Sequence, residues 1–426
     1  MTLDRRSFLK FLSAGVGAAG VPMISRAAEI MPKKGRRVVV VGGGYGGTIA
    51  AKYVRMLDKT IEVVMIERNK QFISCPFSNY YIAGLLPDLS TLTIGYDKLA
   101  ANHGIKMVYD EVTGIDPAAK VVTTANGTLA YDKLILSPGV EFRTAEIEGY
   151  DDKTDQTIPH AWKAGAQTLL LRKQLEAMKD GGKVIVSMPL VPYRCPPGPY
   201  ERVSLIAHYL KQHKPKSKVF LLDANPDIVA KKPLFMKAWK EQYAGIMEYV
   251  PAKKVTKVDA ATKTLFVEGL EDHQGDVVNF IPPQRAGAIA AKAGLVEAGG
   301  NWCPVNTTTF ESTLHKDIHV IGDSCLAGAM PKSGYSANSQ AKVCATNVVA
   351  LMNGKETVDL SGINVCYSAI NDHESISVAG VYKVADGKII GVPGSGGISP
   401  VDFSQTKLEH IYAESWLKNI LTEMST

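Results

Sequence analysis

From Arg36 to Val41 the chain passes from two arginines into four consecutive valines, the pattern of a strand covered on both faces. Gly42-Gly43-Gly44-Tyr45-Gly46-Gly47 follows, then a helical stretch over Thr48–Leu57 and a second buried strand over Ile61–Ile66 that ends at Glu67. Short alternating segments between residues 105 and 136 predict strands, with Asn126-Gly127 as a hairpin turn between Val121–Thr124 and Thr128–Leu136. The polar stretch Glu146–Thr157 reads as a linker. Beyond it, helical and apolar segments alternate again: a helix around Ala166–Met178, a strand at Lys183–Ser187, a helix around Glu201–Lys211 and a strand at Lys218–Leu222.

Near residue 280 the character changes. Asp317–Ile321 is a strand running into Gly322-Asp323, and a long helix from about Ser333 to Met352 stops at Gly354. The last segment ends in a helical stripe of Ala413, Trp416, Leu417, Ile420, Leu421 and Met424. The alternation predicts an α/β chain with two Rossmann-like dinucleotide-binding domains, the first split by the second, and a C-terminal α+β domain. The expected boundaries are residues 1–28 for an export signal, 35–145 and 281–358 for the parts of the first domain, 146–280 for the second and 359–426 for the last.

Composition narrows the classes. With 46% hydrophobic and 21% charged positions the chain is globular rather than disordered or fibrous, and six cysteines in 426 residues exclude a disulfide-built scaffold. The formal charge is +6, but Arg5, Arg6, Lys10 and Arg26 against Asp4 place half of that surplus in the first 27 residues. What remains makes nucleic acid a poor partner. Asp4-Arg5-Arg6-Ser7-Phe8-Leu9-Lys10 precedes a weakly apolar stretch, Phe11–Ile24, that falls short of the roughly 20 residues a spanning helix needs. The arginine pair and the small residues up to Ala28 predict a Tat export signal, transport in the folded state, and a periplasmic chain starting between Ala27 and Glu29.

The glycine turn carries the first chemistry. Gly42 permits the tight turn, Gly44 lets backbone approach a pyrophosphate, and Gly47 lets the helix pack on the strand. The helix start then faces the phosphates with free N–H groups, and Glu67 can accept hydrogen bonds from a ribose. Thr313–Asp323 resembles the second FAD motif of flavoproteins with two dinucleotide-binding domains, in which the acid, here Asp323, contacts the ribityl chain. Tyr131–Gly139 is similar to the strand and loop that leave the FAD domain there. No second glycine fingerprint follows Lys183–Ser187. Met188-Pro189-Leu190-Val191-Pro192-Tyr193-Arg194-Cys195-Pro196-Pro197-Gly198-Pro199 stands in its place, and prolines offer no N–H to a pyrophosphate. A working NAD site is therefore not expected.

The segments 194–202 (Arg-Cys-Pro-Pro-Gly-Pro-Tyr-Glu-Arg), 281–287 (Ile-Pro-Pro-Gln-Arg-Ala-Gly), 330–338 (Met-Pro-Lys-Ser-Gly-Tyr-Ser-Ala-Asn) and Cys366-Tyr367-Ser368 resemble the flavoprotein subunit of flavocytochrome c sulfide dehydrogenase, a relative of sulfide:quinone oxidoreductase with a glutathione reductase-like fold. The resemblance runs from about Arg36 to the C-terminus. It implies a redox-active disulfide between Cys195 and Cys366, an acid/base at Glu201, and FAD carried through a thioether on Cys75. The residue after Cys75 is Pro76, where the resemblance leads one to expect a larger side chain. Gly42, Gly44, Gly47, Glu67, Val112, Gly139, Asp323 and Lys332 complete the expected cofactor-binding set, with Lys332 near the flavin's pyrimidine edge. Cys303, Cys325 and Cys344 read as buried filler.

The implied activity is oxidation of sulfide, with electrons passed from FAD to a c-type cytochrome subunit of one or two haems. No Cys-x-x-Cys-His occurs, so the haem is expected on that partner. The histidines show no metal-ligand spacing, His208 and His213 read as surface residues, and no metal or transmembrane segment is expected. The alternatives are a sulfide:quinone oxidoreductase and a non-catalytic electron-relay flavoprotein. The first would need an apolar membrane-facing element. The Ala413–Met424 stripe is interleaved by Glu414, Lys418 and Glu423, which favours core packing or partner docking.

Overall fold

A computed structural model describes residues 28–269 and 271–426, so the export signal expected over residues 1–28 lies, apart from Ala28, outside the described residues. β1 (Arg37–Val41) is buried at every position, and its valines contribute on the order of 2 kcal/mol each by leaving water. The chain continues through the glycine turn into α1 (Gly47–Leu57), β2 (Glu62–Ile66), β3 (Lys106–Val108) and β4 (Lys133–Leu136). β1 lies parallel between β2 and β4, β3 flanks β2, and the distant segment Ile318–Val320 closes a five-stranded sheet beside β4.

The expected strand Thr128–Leu136 is two strands. Gly127–Ala130 belongs to a three-stranded antiparallel sheet, whereas β4 joins the parallel one. Asp132 makes the break: its N–H donates to the Arg37 carbonyl (2.9 Å) and its carboxylate accepts the Arg37 N–H (2.6 Å). The hairpin turn sits one residue earlier than expected, at Ala125-Asn126, because Thr124 pairs with Gly127. The open side of Gly127 leaves room for the Ala28 carbonyl, which accepts the Thr128 N–H at 3.0 Å. The stretch Glu146–Thr157 is docked rather than a free linker. Ile147 and Tyr150 are buried, and Glu148 exchanges backbone hydrogen bonds with Thr256 (3.0 Å) and Val258 (2.8 Å).

The second unit comprises α2 (Ala166–Ala177), β5 (Lys183–Met188), α3 (Gly198–His213), β6 (Lys218–Asp223), α4 (Lys232–Gln242), β7 (Met247–Val250) and β8 (Val277–Phe280). Its four strands are parallel in the order β7-β6-β5-β8. Every residue of α3 from Gly198 to Leu210 is buried, because the helix packs on this sheet with one side and on the C-terminal sheet with the other. This corrects the surface reading of His208: it is buried, with Nε2 3.0 Å from Gln212 and 3.7 Å from Asp372. His213 is exposed.

β9 (Ile318–Val320) then completes the first sheet and α5 (Gly334–Met352) packs on α1. Ser333 caps α5, its Oγ accepting the Ser336 N–H at 3.0 Å. An antiparallel sheet of β10 (Ser361–Ala369), β11 (Ser375–Ala385) and β12 (Lys388–Gly391) leads to α6 (Thr406–Ser425). Ala413, Ile420, Leu421 and Met424 are buried, with Trp416 and Leu417 packed beside them, so the stripe serves the core. Among the described residues no helix is long and apolar enough to cross a membrane.

Candidate active site

A cavity of about 1520 Å³ opens at the carboxyl ends of the first sheet's strands, where Val41, Ile66, Glu67, Ser137 and Gly322 line it. The glycine turn forms part of its wall. A side chain on Gly47 would collide with the Gly42 carbonyl, and one on Gly42 (φ 101°) with the Ser137 carbonyl. Gly44 is different: an added Cβ would meet only Phe72, at an ordinary 3.6 Å, so the protein itself does not require glycine there. Among the described residues, the Gly44 and Tyr45 N–H groups have no acceptor. Glu67 fixes the turn by accepting the Gly43 N–H at 2.8 Å with Oε2, while Oε1 accepts the Asn69 N–H at 3.0 Å. Asp323 lines the same cavity, with a buried Oδ1 that has no partner. Free N–H groups at a helix start, a glycine the fold does not need and an unsatisfied buried carboxylate oxygen all fit FAD.

The cysteine wall is built by three distant segments. Cys195 ends the proline loop after β5 with a left-handed backbone (φ 60°), its N–H donating to the Lys332 carbonyl at 2.7 Å. Cys366 lies on β10, and the Asn364 amide nitrogen is 3.4 Å from its sulfur. The Ser333 hydroxyl donates to Asn364 Oδ1 at 2.6 Å, which joins this thiol to the α5 cap. Burial pushes both thiols up. Cys366 and Glu201 push Cys195 further, while Arg194 and Lys231 oppose. At Cys366 the opposition comes from Lys231, Asn364 and Ser333.

Glu201 stands on the first turn of α3, its carboxylate accepting the Asn79 amide (2.8 Å) and the Ala369 N–H (3.0 Å). Arg202 fixes the Asn79 orientation by donating to Asn79 Oδ1 at 2.9 Å and is itself held by Asn279 (2.8 Å) and the His160 and Ala161 carbonyls (3.1 and 2.6 Å). Burial raises the Glu201 pKa above the usual carboxylate range, and the two donors only partly offset it. His160 is neutral: burial, with Lys163 and Arg202 adding, pulls it down to about 3.

Gly42, Gly44, Glu67, Cys75, Val112, Gly139, Asp323, Cys195, Glu201 and Cys366 therefore share one cavity. Gly47 packs beneath it. Lys332 does not line it; its ammonium donates to the Asp323 and Cys325 carbonyls (2.8 and 2.9 Å) and covers the Trp302 ring. Cys75 Sγ lies 3.5 Å from the Trp162 carbonyl. Cys303, Cys325 and Cys344 are buried, and Cys75, Cys195 and Cys366 are partly exposed. Sequence reasoning missed Asn79, Arg194, Arg202, Lys231 and Asn364. Arg194 and Arg202 lie within a motif it quoted, but nothing local distinguishes a buried arginine from a solvated one.

Three family models match the chain. Residues 36–186 match pyridine nucleotide-disulphide oxidoreductase, residues 168–282 the central part of the sulfide dehydrogenase (flavocytochrome c) flavoprotein chain, and residues 360–424 the flavin-binding part of flavocytochrome c sulphide dehydrogenase. A stretch of 44 residues is 57% identical to the sulfide dehydrogenase (flavocytochrome c) flavoprotein chain of Chlorobaculum thiosulfatiphilum, covering 10% of this chain and 92% of that one. The mitochondrial sulfide:quinone oxidoreductase of Mus musculus is 20% identical over 383 residues, 83% of this chain and 79% of that one. The solved sulfide:quinone oxidoreductase of Aquifex aeolicus superposes with a TM-score of 0.74 at 18% identity, covering 92% of each chain. Fold and cavity thus define an FAD-dependent oxidoreductase of the pyridine nucleotide-disulphide class. Within that class, the chain belongs to the family of the flavoprotein chain of flavocytochrome c sulfide dehydrogenase.

The two glycines separate cofactor binding from folding. Gly44→Val is expected to keep the fold by circular dichroism while losing the flavin absorbance of the purified protein. Gly47→Ala is expected to lower stability by at least about 2 kcal/mol in denaturant titration. A Gly44→Val protein with full flavin content would remove the pyrophosphate from this turn.

Proposed function

We propose that this chain oxidises sulfide through a Cys195–Cys366 disulfide and FAD, and delivers the electrons to a c-type cytochrome partner in the periplasm. The carrying observation is the shared wall: Cys195 from the β5 loop, Glu201 from α3 and Cys366 from β10 line one cavity with the glycine turn and the unsatisfied Asp323. Gly42, Gly44, Glu67, Val112, Gly139 and Asp323 would hold FAD, and the partly exposed Cys75 thiol would carry it as a thioether. FAD held there supplies an acceptor for two electrons that can release them singly to a haem.

The chain's own residues supply the sulfur chemistry. Hydrosulfide attacks one sulfur of the bridge, the S–S bond breaks, and its electron pair stays on the other sulfur as a thiolate. The incoming sulfur remains as a persulfide on the attacked cysteine. Glu201, buried beside the pair and held by Asn79 and Ala369, takes the proton released. The carboxylate form is needed for that step. Because burial raises its pKa, that form is lost at higher pH than in an ordinary glutamate.

Anaerobic titration with sulfide tests the reading directly: wild-type flavin absorbance should bleach and added cytochrome c should then be reduced, while Cys195→Ser should do neither. A variant that bleaches at the wild-type rate sinks the disulfide mechanism. Glu201→Gln should slow bleaching by about 100-fold and, with rates compared at equal hydrosulfide concentration, abolish the remaining decline with falling pH; a decline retained under that condition removes Glu201 from proton transfer. Acid precipitation addresses Cys75. Yellow colour should stay in the wild-type pellet and move to the supernatant in Cys75→Ser, and colour in the wild-type supernatant would refute the thioether.

A further inference from the structure

Lys231 stands behind the cysteine wall, at the end of the loop after β6 and just before α4. Its backbone is left-handed (φ 54°), a conformation that a lysine keeps only when the surrounding structure enforces it. The side chain is 5% exposed. Its ammonium donates to the Cys366 carbonyl (3.0 Å), the Ser368 hydroxyl (2.8 Å) and the Ile376 carbonyl (3.0 Å), which uses all three N–H groups on β10 and β11. All three acceptors are neutral. Among the described residues Lys231 forms no ion pair with a carboxylate.

A buried ammonium without a counter-ion is costly, and burial pulls this one down to about 8. The groups opposing that pull are Cys366 on β10, Glu201 on α3, Cys195 on the loop before α3, and Glu409 on α6. Arg194 and Arg202 add positive charge from the same loop and helix. The two thiols are not served alike: Cys195 feels both Arg194 and Lys231, whereas at Cys366 Lys231 is the foremost opposing influence and Asn364 adds a donor at 3.4 Å.

We infer that Lys231 is a positioning residue of the thiol pair: its ammonium, clamped on the Cys366 carbonyl, the Ser368 hydroxyl and the Ile376 carbonyl, is the fixed counter-charge for a thiolate released at Cys366. The inference rests on reading Cys195 and Cys366 as a redox pair. Attack on the Cys195 sulfur joins the incoming sulfur to Cys195, breaks the S–S bond and leaves the bonding pair on Cys366. The bridge is the only oxidant consumed in that step.

The test is pH-resolved alkylation of the fully reduced holoenzyme with iodoacetamide, each cysteine being read by peptide mass spectrometry. In the wild type Cys366 should react at least about ten-fold faster than Cys195 near pH ~8; equal or reversed rates overturn the assignment. Lys231→Gln keeps donors but drops the charge, and it should slow Cys366 alkylation about ten-fold, a rise of about one pH unit in its titration. Lys231→Arg keeps the charge and should stay within about two-fold of wild type. Unchanged rates in Lys231→Gln, or equal slowing in both variants, would reduce Lys231 to a structural clamp. The redox-pair reading fails separately, if Cys195→Ser is bleached by sulfide at the wild-type rate; alkylation involves no sulfide and reports on Lys231 alone.

Discussion

The Gly42 carbonyl occupies the space that a side chain at position 47 would need, and the cofactor cavity follows from that contact. It lets α1 start directly against the end of β1, so the helix N-terminus points along the sheet's carboxyl edge. β2 ends beside it and supplies Glu67, whose carboxylate binds back to Gly43. β9 brings Asp323 to the same edge, but only after the chain has built the second unit. The first sheet therefore takes strands from both sides of the second unit in the sequence, which places that unit beside the cavity.

Inside that enclosure charge is expensive, and the polar groups are arranged accordingly. Arg202 is fully enclosed, yet it donates four hydrogen bonds to Asn79, Asn279 and two carbonyls, so its cost is offset by geometry rather than by an ion pair. Asn79 is thereby locked with its amide toward Glu201. One arginine thus orients a carboxylate to which it donates no hydrogen bond, and its charge also opposes the rise in the Glu201 pKa. Near the thiols the balance differs: burial opposes a thiolate on either sulfur, and Lys231 and Arg194 are the cations that counter it. Positive charge fixed beforehand lowers the cost of forming an anion during turnover, because no reorganisation is needed at that moment.

How much of this was legible in the sequence follows the range of each contact. The glycine turn, Glu67 and the Gly322-Asp323 strand end carry local signals, since each depends on neighbours within one strand–turn–helix unit. The cysteines were placed by resemblance to a family rather than by periodicity. The division at Asp132 was invisible because Arg37, which causes it, is 95 residues away. Lys231 and Cys366 are separated by 135 residues, and Asn79 and Glu201 by 122. A lysine before a helix looks solvated until the sheet that buries it is known, and α3, enclosed on both sides, turned His208 inward for the same reason.

The two helix starts explain why similar units serve different chemistry. At α1, Gly44 and Tyr45 keep their N–H groups free of acceptors among the described residues, which suits an anion. At α3 the Cys195 N–H is committed to the Lys332 carbonyl and the Gly198 N–H to the Cys195 carbonyl, while Pro196, Pro197 and Pro199 have none to give. The commitment to Lys332 is also what holds Cys195 in its left-handed conformation, with its sulfur in the cavity wall. Glu201 follows one turn later on the same helix. The bonds that use up the phosphate-binding donors of the second unit are therefore the ones that present its thiol and its carboxyl, so restoring a pyrophosphate site there would require releasing Cys195.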